Sequence, residues 1–542
     1  MLRGPDWKAI FSTQVLGNYH PLTISSYAFN YAISGLDPFS YHLVNYLFHI
    51  ANTLLVFYFI RDISGKNNFV AAFVALVFGV HPMHVESVAW IAERKDVLYT
   101  FFFLLSLLQY WRYLNNGKRK NLVACFGLFI LSLLSKPAAI VLPLVLLLLD
   151  YWKSRPVRWK VILEKIPFFL FSFLFGVITV AIQSKSAIVG LHIFSVTDRL
   201  LFACYTLMTY TYRFFVPYPL SAFHPFPTTN FPGYAILLSP IFIVVLLVAF
   251  WLLRKNKIFV FGILFFIINL LLVLQVLSIG LTIVSERYTY VPYIGLAFML
   301  AMFVSRIKFV SPKVLLSVAS LFIIVLGVMT YEQTKIWKDS GTLWTNALKY
   351  SPRAPYARTN RANYLWRLAH RPEQKPYLDS IYKLAFEDCK IALSVWPSHA
   401  PAYEYMAQMH LDRGELTEAI TNASELVRLK PDYRLAYEIR AVAHFRNKQF
   451  DKALHDYDKC TEISPKDHRS FYFKGQVLDS LKRYEDAINS LTKAITIYPS
   501  GNYYAYRALC YQRKGDTVNA KADLQIANQK NAIIPAELKT PR

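Results

Sequence analysis

Four prolines, Pro397, Pro431, Pro465 and Pro499, stand 34 residues apart in the C-terminal part of the chain. Nothing else in the sequence restricts the fold as strongly. A fixed period of this length means one supersecondary unit repeated, with each unit covering the apolar face of the next. Small residues keep the same beat. Ala407, Ala441, Gly475 and Ala508 hold one phase, and Ala419, Ala453, Ala487 and Ala520 each follow 12 residues later. Two small residues per period suit two helices that cross closely.

That period is the tetratricopeptide (TPR) period, a helix–turn–helix unit. Pro352, Ala362 and Ala385 fit a further unit with 11 residues inserted near HRPEQKPYLDS. The segment 337–352 reads as a lone second helix joining the array to what precedes it. The array therefore spans 337–532, and 533–542 is a tail, either a capping remnant or disordered. Tyr403, Tyr437, Tyr457, Tyr472, Tyr484 and Tyr506 read mainly as packing between helices. The concave groove of such an array takes an extended peptide, so protein or peptide partners are expected there.

Residues 1–335 belong to a different solvent. Apolar stretches long enough to span a bilayer, or nearly so, lie near 41–60, 69–90, 97–114, 121–135, 138–151, 161–183, 236–252, 258–278, 289–305 and 313–331. The expected fold is all-α: a polytopic helical membrane domain of ten spans, then an α-solenoid. Much of the net charge of +25 has its source in the loops that set membrane topology. The loops 61–68, 112–120, 151–160, 253–257 and 305–313 hold 16 Lys and Arg in 41 residues, against 9 in the 120 residues of the opposite segments. The positive-inside rule places the first set in the cytoplasm. No nucleic-acid motif accompanies the charge, so nucleic acid is not an expected partner. Parity then makes 200–216 interfacial or re-entrant and puts both residues 1–40 and the repeat array outside. A further span upstream would give eleven, with a cytoplasmic start. The five cysteines are scattered without CxxC spacing, which points to neither a metal site nor a disulfide framework. The first residues have no apolar core of the kind a signal peptide needs.

Ionisable residues at membrane depth are costly and therefore candidates for function. They gather on the outer side. The densest group is HPMHVESVAWIAERKDVL, with His81, His84, Glu86, Glu93, Arg94, Lys95 and Asp96. The spacing of His81, His84 and Glu86 matches no standard zinc motif, so a divalent metal is the weaker reading and no metal site is assigned. Lys136 ends one span just before Pro137, and Arg287 and Tyr288 stand at an outer helix start. Taken singly, Lys136 and Arg287 read as snorkelling cations. Taken together, they suit an anionic ligand near the interface, such as a lipid phosphate or pyrophosphate. Asp150 reads as a helix-end residue. His20 and His224 lie in outer segments, the latter in a loop with Tyr218 and prolines 217, 219, 225 and 227.

The segments NYHPLT (18–23), YHLVNYLFHIANTLLVF (41–57), HPMHVESVAWIAERKDVL (81–98), SKPAAIVLPLVLLLLDYW (135–152) and ERYTYVPYIG (286–295), followed by TPRs, resemble bacterial membrane proteins with C-terminal TPRs. They also resemble the eukaryotic transmembrane-and-TPR O-mannosyltransferases, and both groups belong with the GT-C glycosyltransferases. The resemblance implies an integral-membrane enzyme that uses a polyprenyl-phosphate sugar. It implies an acidic residue of the first outer loop as general base and basic residues holding the lipid phosphate. On that pattern Arg94, Lys136, Arg287 and Tyr288 are the donor-phosphate candidates, and His20 and His224 lie on the acceptor side. The family's acidic pair precedes the NYHPLT-like segment, and this chain begins inside that loop. Asp6 aligns downstream of the pair and is not assigned as the base. His81, His84, Glu86, Glu93 and Asp96 remain the catalytic candidates. The expected location is a bacterial cytoplasmic membrane with the array on the extracytoplasmic side.

The rival reading is a non-catalytic membrane-anchored scaffold whose working part is the array; the missing acidic pair favours it. A transporter is weaker, because residues 1–335 show no internal symmetry.

Overall fold

The computed structural model describes residues 7–12, 17, 19–156, 158–183, 194–226, 233–276 and 281–538. Asp6, Asn18 and Pro227 lie outside them. The fold is all-α, with, among the described residues, one short antiparallel ribbon of His224–Pro225 against Thr282–Val284. The chain divides into two compact units, Met1–Ser351 and Pro352–Arg542.

In the first unit a helix lies at each of the ten apolar stretches. Pro38–Ile63, Trp159–Ile182 and Pro312–Ile336 are each long and apolar enough to cross a membrane. Asn68–Val80 and Pro82–Ala89 qualify together, bent by 54°. Pro137–Trp152, Leu237–Leu253, Lys257–Val273 and Tyr293–Val304 are apolar but shorter. The stretch 200–216 lies in the helix Val196–Phe215, which opens with a reciprocal capping box between Ser195 and Asp198. Lys257–Leu270 and Tyr293–Val304 touch backbone to backbone. A Cβ on Gly295 would stand 2.5 Å from the Gly262 carbonyl oxygen, so only glycine permits that approach.

The five basic loops meet at one end of this unit. Trp152 donates its indole N–H to the Ile63 carbonyl at 2.9 Å, and Lys153 Nζ donates to Asn115 Oδ1 at 2.7 Å. Lys257 bonds Ser154. Loops that the charge count assigns to one side of a membrane are thus neighbours in space. At the same end Asp150 is more than a helix terminus. It takes hydrogen bonds or ion pairs from Tyr110 at 2.7 Å, Lys165 at 2.8 Å and Arg155 at 3.4 Å.

The lone helix Ser340–Tyr350 belongs to the first unit, so the division falls at 351/352, beyond the 335–337 expected from the sequence. Its contacts explain this. Asn346 Nδ2 donates to the Leu220 carbonyl at 3.1 Å, and Trp344 and Tyr350 meet the rings of Phe223 and Tyr218.

The second unit stacks five helix pairs, from Pro355–Ala369 with Leu378–Val395 to Gly501–Lys514 with Thr517–Gln529. The periodic prolines fall in the turns between pairs. Ala407, Ala419, Ala441, Ala453, Ala487 and Ala508 are fully buried at the crossings. A Cβ on Gly475 would stand 2.8 Å from Leu491 Cγ. Three of the units share a buried ion pair, Arg361 with Asp388, Arg440 with Asp456 and Arg507 with Asp523, each at 2.7 Å. The arginine always precedes the small crossing residue. The tail is tied down through residue 538. Ile533 N–H donates to Asn502 Oδ1, and Glu537 pairs with Arg513 at 2.7 Å. All five cysteines are free.

Candidate functional site

The site is built on an interrupted helix. Pro82 has no N–H and cannot continue the helix Asn68–Val80, so the last carbonyls of that helix lose their partners. Three side chains replace them. His84 Nδ1 meets the Phe78 carbonyl at 2.8 Å, His49 Nε2 meets that of Gly79 at 3.0 Å, and Thr330 Oγ1 donates to that of Val80 at 2.6 Å. Irregular backbone at membrane depth is stable only where such partners exist. His81 accepts the Met83 N–H on Nδ1 at 3.3 Å and meets the Phe214 carbonyl with Nε2 at 3.2 Å, which fixes a neutral ring. The second interruption, at Trp90, is closed in the same way. Tyr27 donates to the Ile91 carbonyl at 2.6 Å, and Asn45 to that of Val88 at 3.2 Å. Both histidines of the HPMH motif therefore have a structural task. Among the described residues no group of three or more His, Cys, Asp or Glu is placed to hold a metal ion.

Beyond the break the chain forms a short helix, Val85–Ala89, a single turn, Ile91–Glu93, and the start of Arg94–Asn116. These carry Glu86, Glu93, Lys95 and Asp96. Two distant segments close on them: Lys136, where the helix Arg119–Ser135 ends, and the turn Glu286–Thr289. Lys136 pairs with Asp96, whose other oxygen accepts from Ser87 at 3.3 Å. Lys95 pairs with Glu93 at 3.2 Å. Arg287 pairs with Glu86 through its guanidinium, donates its backbone N–H to the same carboxylate at 3.0 Å, and reaches Glu93 with Nε at 3.5 Å. Its guanidinium lies over the rings of Tyr288 at 4.8 Å and Trp90 at 5.5 Å.

The cluster is layered by charge. The cation side chains are 18–19% exposed, and those of Glu86, Glu93 and Asp96 only 1–3%. A ligand arriving from solvent meets cations first, and the carboxylates behind hold them in place. Burial opposes ionisation of Glu93, but Arg287, Lys95 and Lys136 outweigh it and hold the carboxyl down at about 2. One of its oxygens, Oε2, has no hydrogen-bond partner among the described residues.

The remaining candidates separate. His20 joins the cluster. It occupies the N-cap position of the helix Pro21–Ser34 without a side-chain capping bond, and burial, with Lys95 next, lowers its pKa to about 4, so it is neutral at pH 7. Its Nδ1 is buried without a hydrogen-bond partner among the described residues. Arg94 faces away, and its donors are spent on Asn45 Oδ1 at 2.9 Å, the Tyr41 carbonyl at 2.9 Å, the Ser26 carbonyl at 3.3 Å and Asn30. It is a fully buried strut between three segments rather than a surface for a ligand. His224 sits in the ribbon, where Arg213 Nη1 donates to its Nε2 at 3.1 Å. Glu286 stands beside Arg287 in the outer segment ERYTYVPYIG, where the sequence gives it no role of its own; it is fully buried, and among the described residues no ion pair reaches its carboxylate. It accepts from the Ser221 N–H and from Gln333 Nε2 at 3.1 Å. Burial, and then the nearby Glu86 charge, raise its pKa to about 8. The signal for Glu286 was available in ERYTYVPYIG, but nothing in that string shows that its neighbour Arg287 turns to another acid.

The fold and the cluster together define a class: a polytopic helical protein that carries an ion-paired polar site at a broken helix and, in a separate unit, a TPR array. Residues 412–494 match the family model described as anaphase-promoting complex, cyclosome, subunit 3. Among curated relatives, mouse protein O-mannosyl-transferase TMTC1 is 41% identical over 100 residues, covering 18% of this chain and 11% of the relative. Mouse protein O-mannosyl-transferase TMTC2 is 46% identical over 93 residues, 17% and 11% of the two chains. The Drosophila melanogaster relative Tmtc3 is 35% identical over 134 residues, 21% and 14%. The chain thus spans 11–14% of the length of these relatives. Solved structures that resemble part of it include MamA, with 22% identity, TM-score 0.28 and coverage of 30% of this chain and 95% of that one. YrrB, described as a TPR protein with an unusual peptide-binding site, matches at 16% identity and TM-score 0.30, over 34% and 91%.

Proposed function

We propose that this chain is a membrane glycosyltransferase of the GT-C kind, moving a sugar from a polyprenyl-phosphate donor to protein acceptors gathered by its TPR array. The observation that carries the reading is the layer of partly exposed cations, Lys95, Lys136 and Arg287, fixed over buried carboxylates beside a broken helix. In such a transfer an acceptor hydroxyl oxygen attacks the anomeric carbon and the bond to the phosphate oxygen breaks. The hydroxyl proton goes to a base, and polyprenyl phosphate departs with the bonding electrons. Charge builds on that phosphate, and fixed cations lower the barrier most where charge develops. Arg287 offers a planar donor edge and Lys136 a point charge, the two forms of phosphate contact. Relatives named as protein O-mannosyl-transferases support the transfer class. Glu86, Glu93 and Asp96 each lie behind a cation, so the reading gives the base role to none of them, and it assigns no metal. The array stands on the extracytoplasmic side of a bacterial cytoplasmic membrane in this reading. The test is direct. Purified full-length protein is given polyprenyl-phosphate mannose and candidate acceptor proteins. If the protein neither transfers the sugar nor retains the lipid, the proposal is overturned.

A second reading, a non-catalytic anchored scaffold, has one observation in its favour. Three carboxylates already balance the three cations of the cluster. Capture of protein partners by residues 352–542 alone, together with no lipid retention by the full chain, favours it.

A further inference from the structure

At the end of the first unit where the five basic loops meet, two open cavities lie on either side of Trp152. One, of about 620 Å³, is lined by Asp62, Lys66, Trp111, Asn115 and Lys153. The other, of about 510 Å³, is lined by Lys255, Asn256, Lys257, Ile258 and Arg306. Trp152 is fixed as the wall between them. Its indole bonds the Ile63 carbonyl, and its ring packs on Phe261 and Phe298 at 5.1 and 5.4 Å.

The charge of these cavities is unbalanced, unlike that of the cluster described above. Lys66 is paired with Asp62. Lys153 and Lys257 bond the neutral Asn115 and Ser154 and lie over the rings of Trp111 and Tyr151. Lys255 and Arg306 have no side-chain partner among the described residues. Four cations, Lys153, Lys255, Lys257 and Arg306, therefore surround one tryptophan with no carboxylate paired to them among the described residues, the Asp62 carboxylate being taken by Lys66. The flanking surface is apolar and bare. Phe309 is 90% exposed, Trp251 63% and Leu252 64%, as for side chains that face acyl chains or the headgroup boundary.

We propose that the paired cavities around Trp152 seat the phosphate headgroup of an anionic phospholipid from the leaflet these loops face. The chemistry fits a phosphate monoanion: unpaired Lys and Arg for the charge, and exposed aromatics beside them for the chain region. A free soluble phosphate shares the first requirement but has no use for the second. This seat is distinct from the Lys136 and Arg287 cluster and does not depend on how that cluster functions.

The test uses full-length protein in detergent and native mass spectrometry. Phosphatidylglycerol, phosphatidylcholine and inorganic phosphate are added separately. We expect phosphatidylglycerol to be retained well above phosphatidylcholine. The triple variant Lys255→Gln/Lys257→Gln/Arg306→Gln should weaken that retention roughly a hundredfold, taking each cation near a membrane surface as about fivefold. All three side chains are on exposed residues, so the variant keeps its fold. Exchanging the same two lysines for arginine should preserve retention, and Lys308→Gln, outside the cavities, should leave it unchanged. Equal retention of the two lipids, or an unaffected triple variant, overturns the proposal. Displacement of the lipid by millimolar inorganic phosphate also overturns it, because the seat would then belong to a soluble anion.

Discussion

Arg287 holds Glu86 twice, once through its guanidinium and once through its backbone N–H at 3.0 Å, across 201 positions of sequence. That contact joins the short helix Val85–Ala89, beyond the break, to the turn Glu286–Thr289. It turns two isolated ionisable residues into one fixed group. Each residue alone reads as an interfacial charge, and only the pair reads as a site.

Arg287→Ala leaves a carboxylate that is 1% exposed without its cation. Breaking one side of a buried pair costs about 3–5 kcal/mol. The double variant Glu86→Gln/Arg287→Met removes both charges and should regain most of that loss. Thermal unfolding in one detergent compares the three. Equal losses in the single and double variants would mean that the pair is not the stabilising contact.

Lys136→Ala should weaken binding of a polyprenyl-phosphate lipid by about tenfold or more, the scale of one charge-assisted contact. Lys136→Arg should keep much of it. Arg94→Ala should behave differently. It strands buried acceptors at Asn30, Asn45 and two carbonyls, so it should lower stability while the folded fraction binds lipid normally. Titration with the lipid, normalised to folded protein, separates the two effects.

Glu286 gives the first unit a pH dependence of known sign. Its folded pKa of about 8 lies above the ordinary value of about 4.3, so the folded state binds the proton more tightly. The stability it lends is complete below about pH 4.3, declines as pH rises towards about 8, and is level above that. Glu286→Gln keeps a neutral group facing Ser221 and Gln333, so it should flatten this slope and raise the melting temperature at pH 8. An unchanged slope in melting curves from pH 5 to 8.5 would count against the assignment.

Gly295→Val should disrupt the backbone-to-backbone contact between Lys257–Leu270 and Tyr293–Val304. The first added carbon already stands 2.5 Å from the Gly262 carbonyl and 2.9 Å from the Phe266 nitrogen. Overpacking costs about 1–3 kcal/mol, and here the obstacle is backbone, which yields less than a side chain. Expression and melting temperature read the effect. Gly327→Val is the control, because a Cβ there meets nothing within 4 Å.

Much of this architecture is written locally. The 34-residue spacing set the helix pairs of the array, because a repeat that buries its face only against its neighbour needs small residues at a constant interval. Ala441 and Ala453 are fully buried where that interval puts them. Apolar runs marked the helices of the first unit, and the density of Lys and Arg marked loops that prove to be neighbours, because the cost of taking charge through a bilayer acts residue by residue. The sequence also marked Lys136, Glu93 and Arg287 as unusual, since ions at that depth are.

The partners of those ions were decided by the tertiary structure alone. HPMHVESVAWIAERKDVL presents its charged residues as equals, yet Arg94 turns inward to Asn45 and Tyr41 while Lys95 stays at the surface beside Glu93. His81 and His84 resemble ligands in the string, but they serve backbone carbonyls, His84 that of Phe78, which the break in the helix releases, and His81 that of Phe214 on another helix. An ion or a ring takes its chemistry from whatever lies within a few ångströms. For these residues the partners come from segments such as Phe214, Asp96 with Lys136, and Glu86 with Arg287, which the chain brings together only when the helices pack. Periodicity and polarity along one dimension can place a residue on an element, while the pairing that gives it a role depends on three-dimensional closure.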